Sequence, residues 1–204
     1  MRRRRSGLNF GRKKKKVNMT IVKEILSWTV EILITLVIAF TFVYFIGLRT
    51  SVVGQSMSET LESGDEILVN RFIYKVSDPK PNDIIVFLPN GNEKSHYYVK
   101  RVIAVPGDTV LIQNGAVYVN GELFDEKVDV SAIEEAGLAS EELKLEDDEY
   151  FVLGDNRNNS EDSRFSDIGN ISKKYIVGKV WKVWKSVDPY TDRFRWERFL
   201  LDVK

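Results

Sequence analysis

Apolar residues follow one pattern near the start of the chain and a different one afterwards. Ile32 to Leu48 form an apolar run without a charged residue, and Trp28 to Val30 extend it beyond Glu31. The extended run approaches about 20 residues, the length at which an α-helix crosses roughly 30 Å of hydrocarbon. A cleavable signal peptide is disfavoured, because Gly47-Leu48-Arg49 is not a small-x-small cleavage site. The pattern predicts one transmembrane helix, with residues 25–48 as a permanent anchor.

Beyond the predicted anchor, short runs of β-branched and aromatic residues alternate with turn sequences, a pattern typical of β-strands. Asn114-Gly115 joins two such runs and is the strongest hairpin signal, because it readily takes positive φ angles. Helical spacing predicts a short surface helix between Val128 and Lys144 and a short terminal helix over Phe194 to Leu200. The expected fold class is mostly β, with an antiparallel sheet in a domain over residues 49–204. The predicted strands cover residues 66–70, 83–88, 97–105, 109–113, 116–119, 150–153 and 175–184.

The charges are divided unevenly between a leader, residues 1–24, and the rest of the chain. The leader holds ten of the 30 Lys and Arg residues and one of the 30 Asp and Glu residues, which leaves the remainder with a net charge of about −9. The positive-inside rule therefore places the leader in the cytoplasm and the residues from Arg49 onward outside the cell membrane. A basic leader on an acidic body argues against nucleic acid as a partner.

Two scarce residue types exclude several kinds of site. The chain has no cysteine, which excludes disulfides, zinc-thiolate sites and thiol catalysis. It has one histidine, His96, so a histidine-rich metal cluster is excluded as well. We therefore expect neither a metal nor another cofactor.

Four segments combine small, polar and charged residues of the kinds that carry chemistry. In chain order they read VGQSMSETL (53–61), GDEILVNR (64–71), YVKRVIAVPGD (98–108) and GDNRNNSEDSR (154–164). With the basic leader and the single span before them, these segments resemble the type I signal peptidases in their single-span, Gram-positive-like form. Members of that family are Ser/Lys proteases that remove leader peptides from exported proteins.

The resemblance implies that Ser56, in the Ser-Met pair, is the nucleophile and that Lys100, in the Lys-Arg-Val-Ile run, is the general base. A serine hydroxyl needs a base to remove its proton. A lysine with a pKa near 10.4 is protonated at neutral pH, and burial among apolar neighbours lowers that pKa. His96 is the rival base, since strand alternation puts it on the same face as Lys100. The motif favours Lys100, and a Ser-His-Asp triad is disfavoured.

In the fourth segment the resemblance implies supporting roles. Ser160 matches a serine that hydrogen-bonds and orients the lysine amine, and Asp162 and Arg164 match a charge pair that braces the site. Arg101, next to the lysine, is also a supporting residue. The alternatives are a calcium loop and an aspartic dyad of Asp155 with Asp162. The EF-hand spacing is absent, and the nearby arginines oppose a bound cation.

The sequence departs from the family pattern at two positions. Glu59 replaces a proline three residues after the nucleophile, and Gly54 replaces a serine that supplies an oxyanion donor in some members. The backbone N–H of Ser56 is then the expected oxyanion donor, with a second donor unidentified.

The resemblance implies a membrane-bound serine endopeptidase. Its expected partners are the lipid bilayer and exported preproteins with small-x-small cleavage sites. The sequence also allows two other functions: a membrane-tethered, non-catalytic β module that binds peptides, and a self-cleaving Ser/Lys regulator.

Overall fold

The structure of the chain is a computed structural model that describes residues 18–46, 48–58, 60–188 and 191–203, with the backbone alone for residues 42–46. The chain divides into two compact units, Met1–Thr41 and Phe42–Lys204. Most of the basic leader, residues 1–17, lies outside the described residues.

The first unit contains most of helix α1, Met19–Ile46. Large apolar side chains along it, from Met19 to Phe40, are exposed. Within the described residues, no helix combines the length and the apolar character needed to cross a membrane. The predicted anchor, residues 25–48, includes side chains 42–47, which lie outside the described residues, and Leu48, which lies in the first strand.

The second unit is built mainly from antiparallel strands, which confirms the predicted fold class at that level. Helix α2, Ile73–Val76, is short and lies at the surface. The strands of the described chain are β1 (Leu48–Ser51), β2 (Glu66–Asn70), β3 (Ile84–Phe87), β4 (Tyr98–Ala104), β5 (Thr109–Gln113), β6 (Ala116–Val119), β7 (Glu122–Leu123), β8 (Leu143–Lys144), β9 (Glu149–Leu153), β10 (Ile171–Ser172) and β11 (Ile176–Lys185).

The strands form two sheets, and the chain passes from the larger sheet to the smaller one between β4 and β5. The larger sheet has the strand order β1-β2-β11-β3-β4-β9-β10, and the smaller one has the order β7-β6-β5-β8. The predicted hairpin is confirmed: β5 pairs with β6, and Asn114 and Gly115 have φ angles of 53° and 77°. These positive angles are those of a tight two-residue turn.

Apolar residues from both sheets form buried clusters that hold the chemically interesting segments in place. One cluster combines Met57 and Leu61, which follow Ser56, with residues of β2 and β11. A second cluster packs the smaller sheet against Ile103 of β4 and Phe151 of β9. Strand β4, which carries Lys100, is therefore fixed along its length by packing.

The predicted surface helix between Val128 and Lys144 is wrong. The segment holds a 3-10 turn, Gly137–Ser140, and ends in strand β8. Gly137 has a φ of 55°, and the backbone amide of the next residue, Leu138, donates to the carbonyl of Arg164. A positive φ interrupts an α-helix, so the segment satisfies its backbone groups against other parts of the domain.

The predicted terminal helix over Phe194 to Leu200 is also wrong. Only Trp196–Arg198 form a 3-10 turn there. The amide of Leu200 donates to the carbonyl of Val183 at 2.8 Å, and Leu200 itself has a φ of 56°. The segment thus lies along β11 and pairs with it, which competes with helical hydrogen bonding.

Candidate active site

Ser56 lies in the turn between β1 and β2. Its neighbour Met57 and the later Leu61 are buried in the core. The amides of Thr60 and Leu61 donate to the carbonyl of Met57 at 2.8 and 2.6 Å. These contacts anchor the turn and leave Ser56 half-buried beside a cleft of about 760 Å³.

Lys100 reaches the same place from β4, where it pairs with Ile85 of β3. It is 3% exposed, although its neighbour Tyr98 is only half-buried. The Nζ atom of Lys100 lies 2.6 Å from the Oγ atom of Ser56. The predicted nucleophile and the predicted base, 44 positions apart in the chain, are therefore in direct hydrogen-bond contact.

Burial lowers the pKa of the Lys100 amine from 10.5 to about 8. Desolvation is the largest cause, because apolar surroundings disfavour the charged ammonium. The carboxylates of Asp162 and Glu161 act in the opposite direction, and the Arg164 guanidinium adds to the lowering. An amine with this pKa is neutral in a large fraction of molecules near pH 8 and can then accept the proton of a neighbouring hydroxyl.

Asn156 joins the fourth segment to the Ser56 turn through three hydrogen bonds. Its backbone amide donates to the carbonyl of Ser56 at 3.0 Å. Its side-chain amide donates to the carbonyl of Gln55 at 3.1 Å and to the hydroxyl of Ser58 at 3.0 Å. The residues on both sides of Ser56 are thus held by one asparagine.

Gly154 makes this close approach possible. A Cβ atom at that position would lie 2.4 Å from the carbonyl oxygen of Ser56 and 2.2 Å from the Oγ of Ser160. Neither distance is compatible with van der Waals contact, so any larger residue must push the two segments apart.

Asp162 is the centre of a buried polar cluster behind Lys100. It accepts from the Oγ of Ser160 at 2.7 Å and from Nε and Nη2 of Arg164 at 2.8 and 3.0 Å. The resemblance implied that Ser160 bonds to the lysine amine. Among the described residues its hydroxyl donates to Asp162 instead, because an ionised carboxylate is a stronger acceptor than an amine.

Arg101 and Asp155 form a fully buried ion pair next to the site. Nε and Nη2 of Arg101 donate to the two carboxylate oxygens at 2.7 and 2.8 Å. The hydroxyl of Thr60 donates to the same carboxylate at 2.5 Å. Asp155 therefore ties the strand of Lys100 to the turn of Ser56, and removing one partner of such a pair typically destabilises a protein by about 3–5 kcal/mol.

These pairings disfavour the calcium loop and the aspartic dyad. Asp155 and Asp162 each face a buried guanidinium, which repels a metal cation and keeps the two carboxylates in separate ion pairs. His96, the rival base, is exposed at the edge of the cleft, and no hydrogen bond in the described part of the chain joins it to Ser56.

The two departures from the family pattern fall at different places. Glu59 lies outside the described residues. Gly54 has a φ of 91°, which favours glycine, and the space around its Cβ position is open. In the described structure the backbone N–H of Ser56 donates to no protein acceptor.

Sequence reasoning missed three residues that shape the site: Gly154, Asn156 and Thr60. Gly154 and Asn156 flank Asp155 in the fourth segment, and Thr60 is the second-last residue of the first segment. A glycine before an acidic residue at the end of a predicted strand is a signal for close backbone approach. The hydrogen bonds of Asn156 and Thr60 have no comparable signal, because their partners are about 100 residues away in the chain.

Comparison with known proteins gives a consistent assignment. Residues 25–185 match the family described as signal peptidase, peptidase S26. Signal peptidase I P of Bacillus subtilis subsp. natto is 39% identical over 165 residues, which cover 76% of this chain and 85% of that protein. Signal peptidase I S of Bacillus subtilis strain 168 is 36% identical, covering 80% and 91% of the two chains.

A third relative is also a signal peptidase. Signal peptidase IB of Staphylococcus aureus strain COL is 36% identical over 180 residues, which cover 79% of this chain and 91% of that protein. The family match and these relatives confirm the resemblance that the four segments carry. Taken with the length of the match, they establish that the chain belongs to the signal peptidase family, peptidase S26, as a serine protease of the signal peptidase I type.

Proposed function

We propose that the chain removes signal peptides from exported preproteins at small-x-small sites, with Ser56 as nucleophile and Lys100 as general base. The observation that carries the proposal is the 2.6 Å contact between the Lys100 amine and the Ser56 hydroxyl. The low pKa of the amine supports it, because only a neutral lysine can accept a proton.

Acylation is the first half of the proposed reaction. Neutral Lys100 takes the proton of the Ser56 hydroxyl as the oxygen bonds to the scissile carbonyl carbon. The backbone N–H of Ser56 donates to the oxyanion of the tetrahedral intermediate. The carbon–nitrogen bond then breaks, the Lys100 ammonium protonates the leaving amine, and the signal peptide stays on Ser56 as an ester.

Deacylation repeats the sequence with water. Neutral Lys100 takes a proton from a water molecule as its oxygen attacks the ester carbon. The bond to Ser56 Oγ breaks, and the ammonium returns the proton to that oxygen. The surrounding ion pairs, Arg101 with Asp155 and Arg164 with Asp162, hold fixed charges near the amine and change protonation in neither half.

The register of β4 supports an extended substrate. Strand β3 pairs with β4 from Tyr98 to Arg101, whereas β9 pairs with it from Arg101 onward. In the described sheet, the side of β4 towards β9 is therefore unpaired from Tyr98 to Lys100, beside the cleft. A substrate strand that adds to this edge forms main-chain hydrogen bonds and directs alternate side chains into the cleft.

The direct test is cleavage of a leader-bearing precursor by the purified full chain in detergent. We expect the native chain to release one fragment cut after a small-x-small sequence and Ser56→Ala and Lys100→Ala to release none. Lys94→Ala, an exposed lysine in the loop before β4, is the matched control and should cleave normally. Normal cleavage by either of the first two variants would exclude the proposed dyad.

We further propose that the segment of α1 attaches the enzyme to the membrane, with residues 49–204 on the outer side. The exposed apolar side chains of α1 support attachment, because such a surface is unfavourable in water. The cationic leader supports the direction. Exposed aromatic residues such as Trp196 and Trp181 are of the type enriched at membrane–water interfaces.

The topology can be tested directly because the chain contains no cysteine. Single cysteines are introduced in the leader, as Ser6→Cys, and at an exposed position of the β domain, as Ser140→Cys. A membrane-impermeant maleimide should label the Ser140→Cys chain in intact spheroplasts and the Ser6→Cys chain only after permeabilisation. The opposite labelling would exclude the proposed orientation.

A further inference from the structure

The segment after β11, residues 194–203, forms what we call the C-terminal strap. It runs beside the end of β11: the amide of Val183 donates to the carbonyl of Leu201 at 3.0 Å, and that of Leu200 to the carbonyl of Val183 at 2.8 Å. The family match ends at residue 185, so the strap lies beyond it.

Arg198 of the strap reaches the loop that follows the Ser56 turn. Its Nη2 atom lies 2.6 Å from Oδ2 of Asp65 and 3.0 Å from the carbonyl oxygen of Thr60. Its Nη1 atom lies 3.2 Å from Oε1 of Glu62, which also pairs with Arg195. One guanidinium thus binds three points of the segment between residues 60 and 65.

These points are connected to both members of the proposed dyad. The Thr60 hydroxyl donates to Asp155, which pairs with Arg101, the residue after Lys100. Asp155 is also followed by Asn156, whose amide donates to the carbonyl of Ser56. A displacement of Thr60 therefore changes contacts on the Ser56 side and on the Lys100 side together.

Asp65 makes this arrangement sensitive to Arg198. Its side chain is fully buried. Oδ2 accepts from Arg198 and from the amide of Glu62, and Oδ1 has no hydrogen-bond partner in the described structure. Without this guanidinium the buried carboxylate loses the one ion pair that it makes among the described residues, and the loop must shift to expose it to water.

We infer that Arg198 is a positioning residue for the cleavage reaction, through which the C-terminal strap fixes the Ser56 turn against Lys100. The inference rests on the proposed dyad. Arg198 does not line the cleft along the described residues, so its loss affects the attack geometry more than substrate binding. Misplacement of a reacting group by about 1 Å lowers rates by roughly a hundredfold.

The test compares Arg198→Ala with Arg193→Ala, an exposed arginine just before the strap. We expect Arg198→Ala to lower kcat by about ten- to a hundredfold with KM within about twofold, and Arg193→Ala to leave both unchanged. Low-millimolar guanidinium should restore part of the lost kcat of Arg198→Ala, and Arg198→Lys should keep more activity than alanine. All assays are run well below the measured Tm of each variant.

The outcomes separate this inference from the proposed function. Unchanged kcat in folded Arg198→Ala, a loss confined to KM, or a loss that guanidinium does not relieve would overturn the positioning role while leaving the dyad intact. Cleavage by Ser56→Ala in the same assay would instead refute the dyad. If Arg198→Ala does not fold, Arg198→Lys is tested instead, because lysine keeps the charge opposite Asp65 but cannot bind all three points. A kcat below that of the native chain then supports the positioning role, and an unchanged kcat overturns it.

Discussion

Lys100 determines at which pH the proposed reaction runs. Its pKa of about 8 means that the amine is neutral above this value and protonated below it. We predict that kcat/KM for peptide cleavage rises about tenfold per pH unit below the pKa and levels off above pH 8. An inflection near 10.4, the value of an exposed lysine, would contradict the burial of the amine.

The same burial makes Lys100 a cost to stability. Its pKa is about 8 in the folded chain and 10.5 in the unfolded one, so the charged amine is destabilised in the fold. This penalty is complete below pH 8, decreases as the pH rises and is absent above 10.5. We predict that Lys100→Met, which keeps the length without the charge, is inactive yet raises the free energy of unfolding at pH 7 by up to about 3 kcal/mol.

Chemical denaturation at pH 7 and at pH 10 checks this prediction. The advantage of Lys100→Met over the native chain should shrink at the higher pH, where the native amine is mostly neutral. Lys94→Met, at an exposed position, should show no pH-dependent gain. A variant that is less stable than the native chain at pH 7 would contradict the desolvation argument.

Single residues of the site differ in how far the sequence could predict them. Ser56 and Lys100 could be singled out, because their segments resemble those of a known family and the chemistry requires a base beside a hydroxyl. The hydrogen-bond partner of Ser160 could not be predicted, since a hydroxyl near both an amine and a carboxylate can donate to either group. The three-dimensional arrangement brings Asp162 into reach and decides between them.

At the scale of elements, the fourth segment is the part of the site that depends most on backbone fit. We predict that Gly154→Ala lowers kcat by about a hundredfold or more, because its Cβ would collide with the carbonyl of Ser56 and the hydroxyl of Ser160. Kinetic assay of peptide cleavage measures the loss. Gly121→Ala is the control: its φ of 81° adds backbone strain, but no atom lies within 4 Å of the new Cβ. It should lose some stability and keep its kcat.

The elements show which signals in the sequence are reliable. The longer strands were predicted nearly to their ends, because alternation over five or more residues and an Asn-Gly turn are strong local signals. Two-residue strands such as β8 and β10 have no period to detect and form only because the neighbouring strand offers free hydrogen-bond groups. Both helix predictions failed where backbone groups pair with other parts of the domain instead: the amide of Leu138 donates to the carbonyl of Arg164, and the amide of Leu200 donates to the carbonyl of Val183.

For the whole molecule, the uneven division of charge connects sequence to location. The catalytic and supporting residues that we propose all lie within residues 49–204. The leader, by contrast, supplies cations without contributing a proposed catalytic group. Orientation in the membrane and chemistry at Ser56 are therefore expected to depend on different parts of the chain.

This separation leads to a prediction about the nine cations of the leader before residue 17. Replacing them with glutamine weakens the positive-inside signal, so fewer molecules should carry the β domain on the outer side and precursor processing in cells should fall. The label at Ser140→Cys in spheroplasts measures the fraction with the proposed orientation. In detergent, where orientation has no meaning, the same variant should cleave peptide with the kcat of the native chain.

The control is a matched variant in which lysine and arginine are exchanged. It keeps the charge and should behave like the native chain in both assays. A loss of kcat in detergent for the glutamine variant would show that the leader contributes to catalysis as well. The affected residues are Arg2–Arg5, Arg12 and Lys13–Lys16.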